Sequence, residues 1–184
     1  MRLRRRSLHK SECSTVRRRA AVECPNMIED SPEAFIQHWR SYAAEVQVFA
    51  RTEGSPLLEC RANGVIVQLL DRGGPYVTAP GTHRVILNPV VEALSAAAEP
   101  ARSLEVAGLG QLQGTGEVLV SEGRICVVDC GVPLVVAVMA EDAERFEPGR
   151  YVRFEGLPPV HGFVVPPSAG ARRREAGENT DDAM

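Results

Sequence analysis

Apolar residues recur at helical spacing over the first ordered-looking stretch of this chain and at every second position after it. Phe35, Ile36, Trp39, Tyr42, Ala43 and Val46 fall on one helical face. Ser31 suits the N-cap, Pro32 the first helical position, and Glu33 the positive end of the helix dipole. The pattern predicts a helix over 31–46 whose apolar stripe, with the only Trp of the chain, is expected to be core.

From Val46 the period becomes two, which predicts strands over 46–52, 56–61 and 64–71. Glu53-Gly54-Ser55 and Ala62-Asn63-Gly64 supply the turns, and an Asn-Gly step is a strong hairpin signal. Another strand is expected over 82–87. Asn88 then reads as the cap of a short helix opening at Pro89, with Val90, Val91, Leu94 and Ala97 inward and Pro100 as the stop. Further on, the glycines from Gly108 to Gly116 lead into a strand over 117–120 and permit a sharp bend or bulge. Strands over 124–129 and 133–139 follow. One or two helical turns are expected over 141–146, then strands over 151–155 and 162–165 separated by Pro158-Pro159.

The fold class expected is mainly β with two or three short helices (α+β). The organisation is a basic arm (1–26), a helix plus β-meander and short helix (27–100), a β-barrel (101–166) and a charged tail (167–184). The order of elements in 104–166, with Val132, Pro133, Leu134, Val135 and Val136 followed by the run from Phe146 to Gly156, resembles the five-stranded OB barrel. That resemblance covers about a third of the chain and carries no diagnostic motif. An SH3-like barrel or an extra-stranded sandwich that includes 46–88 is the competing architecture.

Composition refines this picture. Hydrophobic residues make up 44% of 184, enough for a packed core. The run from Val132 to Ala140 is far below the ~20 residues of a membrane span, so no membrane association is expected. Residues 1–26 hold eight Lys or Arg (Arg4, Arg5, Arg6, Arg17, Arg18 and Arg19 among them) against two Glu, a net of +6. The other 158 residues hold 13 basic and 22 acidic groups, a net of −9. The arm reads as a solvated tail, a segment for nucleic acid or an acidic partner, or a transit peptide. Attraction to phosphate is expected from it and not from the core.

Candidate chemistry is sparse. Five cysteines (Cys13, Cys24, Cys60, Cys126, Cys130) have no framework spacing, and no apolar segment follows Arg2 to Arg6; reduced thiols in a cytoplasmic protein are the expectation. Cys126 and Cys130 lie four apart, ~13 Å along a strand, too far to share one zinc. Cys60, His83 and Asp71 can be drawn as nucleophile, base and orienter, but no nucleophile signature surrounds them. No metal or cofactor is expected, and no enzyme.

Residues 125–128 and 134–138 are apolar on both faces, so the outer face of that pair is expected to lie under the 31–46 helix or against another chain. Tyr151 and Arg153 share one strand face, with Arg124 near them and His161 at the mouth of a hairpin; these four are the candidate ligand-binding residues. The function expected is a non-enzymatic OB-like binding or accessory protein for single-stranded DNA or RNA. Its alternative is a protein-interaction or assembly module, or self-association through strands 124–139. A small-ligand regulatory domain is the third reading.

Overall fold

The computed structural model of the protein describes residues 31–108, 110–141 and 144–167. Helix α1 (Pro32–Trp39) starts as its sequence dictates: the Ser31 hydroxyl accepts the Ala34 amide at 3.1 Å, with Pro32 behind it. It tightens into a 3-10 turn over Arg40–Tyr42 and stops there. Val46 is therefore not on the helix. The alternation Ala44, Val46, Val48 wins locally and makes β1 (Ala44–Val48), whose burial alternates in step.

Nine more strands follow among the described residues: β2 (Leu57–Ala62), β3 (Val65–Asp71), β4 (Gly81–Val91), β5 (Ser95–Ala96), β6 (Ser103–Ala107), β7 (Gln111–Glu122), β8 (Ile125–Asp129), β9 (Pro133–Val138) and β10 (Tyr151–Val164). Eight of the ten close into one mixed barrel in the order β10-β3-β2-β1-β4-β9-β8-β7 and back to β10, with β5 and β6 as additions. The barrel is not five-stranded. Segments 31–100 and 101–166 each contribute four neighbouring strands, β3-β2-β1-β4 and β9-β8-β7-β10, to this single closed sheet.

Two long strands organise the ring. β4 and β10 pair antiparallel from Val85↔Val164 to Val91↔Gly156. Along its other edge β4 pairs first with β1 antiparallel and then with β9 parallel. β10 repeats the scheme, first with β7 antiparallel and then with β3 parallel. The meanders β1–β2–β3 and β7–β8–β9 thus occupy related places about the β4/β10 ribbon. Their tips meet: Asn63, in the two-residue β2–β3 turn, donates from Nδ2 to the Cys130 carbonyl in the β8–β9 turn at 3.3 Å. Asn63 and Gly64 both have positive φ (47° and 79°), as a primed hairpin turn requires.

The short helix expected at Asn88 is strand instead. Val85 to Leu87 are buried on both faces, and a doubly buried central strand reads as a continuous apolar run that periodicity cannot separate from a helix. Asn88 caps nothing; its Nδ2 donates to the Val135 carbonyl at 2.5 Å. Pro89 sits where the ladder is interrupted, between Asn88↔His161 and Val90↔Leu157. Pro158 and Pro159 fall in the same gap, so three residues without an amide proton face one another where no donor is needed. For the same reason 151–155 and 162–165 are not two strands but one bulged strand, β10. Two further expectations differ. The described residues at 141 and 144–146 carry no helical turn, and β6, whose alternation is weak, was not predicted.

The glycine-rich stretch does not precede the strand; Gly114 and Gly116 lie inside β7. A Cβ on Gly114 would stand 2.5 Å from the Phe154 ring and 3.0 Å from Cys130 Sγ, and one on Gly116 would collide with the Asp129 carbonyl. Close approach of β10 and the β8–β9 turn requires both glycines.

The barrel interior is filled by Val46, Leu58, Leu69, Leu87, Leu112, Leu134, Phe154 and their neighbours. A second apolar layer lies outside the barrel, where Phe35 and Trp39 of α1 cover Ile86, Ile125, Val127, Val135 and Phe163. Phe35 stacks on Phe163 at 4.5 Å between ring centroids, and each ring so buried contributes ~1.5–3 kcal/mol. The outer face of β8 and β9 is thus covered by the chain's own helix.

Candidate functional site

The outward face of β6, β7 and β10 is where chemistry-bearing side chains gather. Register sets them in rows. Ser103, Thr115 and Arg153 are cross-strand neighbours, and so are Glu105, Gln113 and Glu155. Alternation along each strand turns these residues outward while Leu104, Gly114 and Phe154 face the interior. They line a polar groove of about 260 Å³. No hydrogen bond or ion pair among the described residues engages the side chains of Arg153, Glu105 or Glu155, and all three are exposed.

Charges at one end of the groove are already matched. Arg102 reaches Glu117 at 2.6 Å and Asp129 at 3.2 Å, and these contacts hold its guanidinium more firmly protonated. The Tyr151 hydroxyl lies 3.4 Å from the same Glu117 carboxylate. Four carboxylates (Glu105, Glu117, Asp129, Glu155) against two guanidiniums (Arg102, Arg153) leave the face net acidic. The described residues together carry ten Arg and fifteen Asp or Glu.

Of the four candidate residues, the structure brings two together. Tyr151 and Arg153 share this face. Arg124 does not join them: it sits beyond Glu122, at the far end of the β7–β8 hairpin, ~17 Å along the ladder from Glu117 at ~3.3 Å per residue. Its Nε donates to the Val138 carbonyl at 2.9 Å, clamping the end of β8 against β9. It also lines a cavity of about 30 Å³ with Glu141, Glu144 and Arg145, room for no more than a water or two. His161 is at no hairpin mouth. It lies inside β10, half-buried between Leu70 of β3 and Asn88 of β4. Arg4, Arg5, Arg6, Arg17, Arg18 and Arg19 lie outside the described residues.

The sulfur chemistry has structural explanations. Cys60, Cys126 and Cys130 are buried, and desolvation pushes their thiols up to about 12, about 11 and about 12. A nucleophilic cysteine needs the opposite shift. His83 bonds the Ala79 carbonyl at 2.8 Å, and Asp71 is taken by Arg51, so Cys60, His83 and Asp71 form no relay. Among the described residues no group of three His, Cys, Asp or Glu is arranged to hold a metal ion, and no helix is long and apolar enough to cross a membrane.

One cluster escaped sequence reasoning. Arg51, in the β1–β2 loop, pairs with Asp71 at the end of β3: Nη1 to Oδ2 is 3.0 Å, and the side chains are 7% and 3% exposed. Asp71 Oδ1 accepts the Gly73 amide at 3.0 Å, and the Tyr76 ring lies 5.9 Å from the Arg51 guanidinium carbon. Twenty residues separate the charges, and nothing in an alternating polar pattern announces their meeting.

No family model matches the chain, and no curated protein is similar to it.

Proposed function

We propose that this chain is a non-enzymatic protein-binding module whose β6–β7–β10 face takes an extended polypeptide segment bearing basic residues. The observation that carries this reading is the set of unengaged charges in the polar groove, Glu105 and Glu155 in one cross-strand row and Arg153 in the next, on a face that is net acidic. Complementary charge on a partner would be steered there and set in register by Arg153, which repels a lysine or arginine placed one step out of line. The aliphatic face of β8 and β9 does not serve this purpose, because α1 covers it.

Single-stranded nucleic acid is the second reading. It rests on the OB-like resemblance and on Tyr151 standing beside Arg153 on one strand face, an aromatic and a cation as such ligands use. Four surrounding carboxylates weigh against it, and any phosphate contact would have to come largely from the cations of residues 1–26.

Fluorescence anisotropy with the full-length chain separates the two. The probes are a labelled peptide of alternating lysine and serine and a labelled oligothymidylate, each titrated at several salt concentrations. The peptide is expected to bind, more weakly as salt rises, and to lose at least fivefold in affinity with Glu105→Gln plus Glu155→Gln. The same pair of changes at the distant Glu53 and Glu59 should have little effect. Oligothymidylate binding that survives deletion of residues 1–26 and falls with Tyr151→Ala would favour the second reading and overturn the first.

A further inference from the structure

We propose that Arg51 is the recognition element of a carboxylate-binding subsite beneath the 72–80 loop, separate from the β6–β7–β10 face. The guanidinium has two donor edges. Nη1 is spent on Asp71. Nε and Nη2, the two parallel N–H groups of the side edge, are fully buried and meet no acceptor among the described residues. A buried donor without a partner is costly, more so when charged. That edge is also the planar fork that matches the two oxygens of a carboxylate or phosphate bidentately, a fit a lysine cannot reproduce.

The surroundings choose between those anions. Asp71 already neutralises Arg51, and the Gly73 amide holds that carboxylate in place. A carboxylate on the free fork leaves the buried group with a single net negative charge, whereas dianionic phosphate leaves two. The monoanion is the ligand the site suits. Entry requires the covering loop to lift. Tyr76, which lies over the guanidinium, has φ +61°, a left-handed conformation that a tyrosine holds only at a cost. Val77 beside it is 76% exposed, and the loop's far end is pinned by the His83 bond to Ala79. Little apolar contact holds the segment closed. The carboxylate is supplied by a small acid or by the C-terminus of a polypeptide.

The test follows the Arg51 Nε–H proton by NMR in the full-length protein at constant ionic strength. The titrants are acetate, a short peptide with a free C-terminal carboxylate, the same peptide amidated, and inorganic phosphate. Acetate and the free-carboxylate peptide should move the resonance downfield with saturation, and the amidated peptide and phosphate should not. Peptide affinity ten times that of acetate or more assigns the source to a polypeptide; equal affinities assign it to a small acid. Arg51→Lys should abolish the saturable response, read at the Gly73 amide. Tyr76→Ala, which removes the cover and leaves the ion pair, should tighten acetate binding severalfold and decides the matter even if Arg51→Lys does not fold. An Nε–H proton that ignores every carboxylate, as it would if ordered water satisfied it, overturns the proposal. So does a response to phosphate equal to that to acetate.

Discussion

Gly114→Ala is the smallest change that challenges the closure of the barrel. Gly114 lies in β7 opposite Phe154 in β10, and its φ is one that any residue adopts, so backbone strain is not at issue. The added methyl would stand 2.5 and 2.8 Å from two ring carbons of Phe154 and 3.0 Å from Cys130 Sγ. Neither neighbour can yield outward, because Phe154 is 4% exposed and Cys130 is fully buried. Overpacking of this kind costs ~1–3 kcal/mol. The gain from replacing glycine by alanine in a strand offsets ~0.5–1 kcal/mol, and with two sub-3 Å ring contacts at the upper end of the overpacking range this leaves about 2 kcal/mol. With a urea slope of ~2 kcal/mol per molar, the midpoint should fall by about 1 M. Phe154→Leu removes the ring atoms in question. In that background Gly114→Ala should cost less than ~0.5 kcal/mol, a coupling of ~1.5 kcal/mol within the range of contacting residues. The assay is equilibrium urea unfolding of the four proteins of the cycle. A Gly114→Ala protein as stable as the parent, or a cost equal in both backgrounds, would refute the contact and the close approach of β7 to β10.

Phe35→Ala should destabilise by ~3–5 kcal/mol and raise binding of an apolar dye, because it uncovers Phe163, Ile125 and Val127; unchanged stability would mean that α1 does not cover that face. With Cys13 and Cys24 replaced by serine, the folded chain should resist thiol reagents until it unfolds. The buried thiols also predict a pH dependence. The unfolded chain loses these protons from pH ~8.5, while the folded one holds Cys126 to about 11 and Cys60 and Cys130 to about 12. Their stabilisation is complete below the unfolded value and is lost as pH climbs through that window. The urea midpoint should decline there, less steeply in Cys126→Ala, and equal slopes would contradict the assignment.

Much of this fold is legible in local sequence where one force dominates. The N-cap of α1, the Asn63-Gly64 hairpin, the alternating strands β2 and β3, and the short continuous apolar runs of β8 and β9 announce themselves locally. The OB-like order of elements catches the meander β7–β8–β9 and misses its setting. Closure of eight strands depends on β4 and β10 each running past one meander to pair with the other, a non-local choice that no window of residues contains. Asn88 and Pro89 mislead because their helix-cap chemistry is real but overruled by burial on both faces. At the candidate site, Tyr151 and Arg153 could be paired by spacing alone. Glu105, Gln113 and Glu155 could not, since only the register of three strands brings them into line. Arg51 and Asp71 meet across loops for the same reason.

On the proposed function, the β6–β7–β10 face is the surface that meets the partner. Backbone amide shifts of the full-length chain, followed by NMR during titration with the lysine–serine peptide, test it residue by residue. Saturable changes confined to Ser103–Ala107, to residues 111–117 and to residues 151–155 are expected, lost together when Glu105 and Glu155 become glutamine. Changes centred elsewhere on the barrel, or none at low salt, would contradict it.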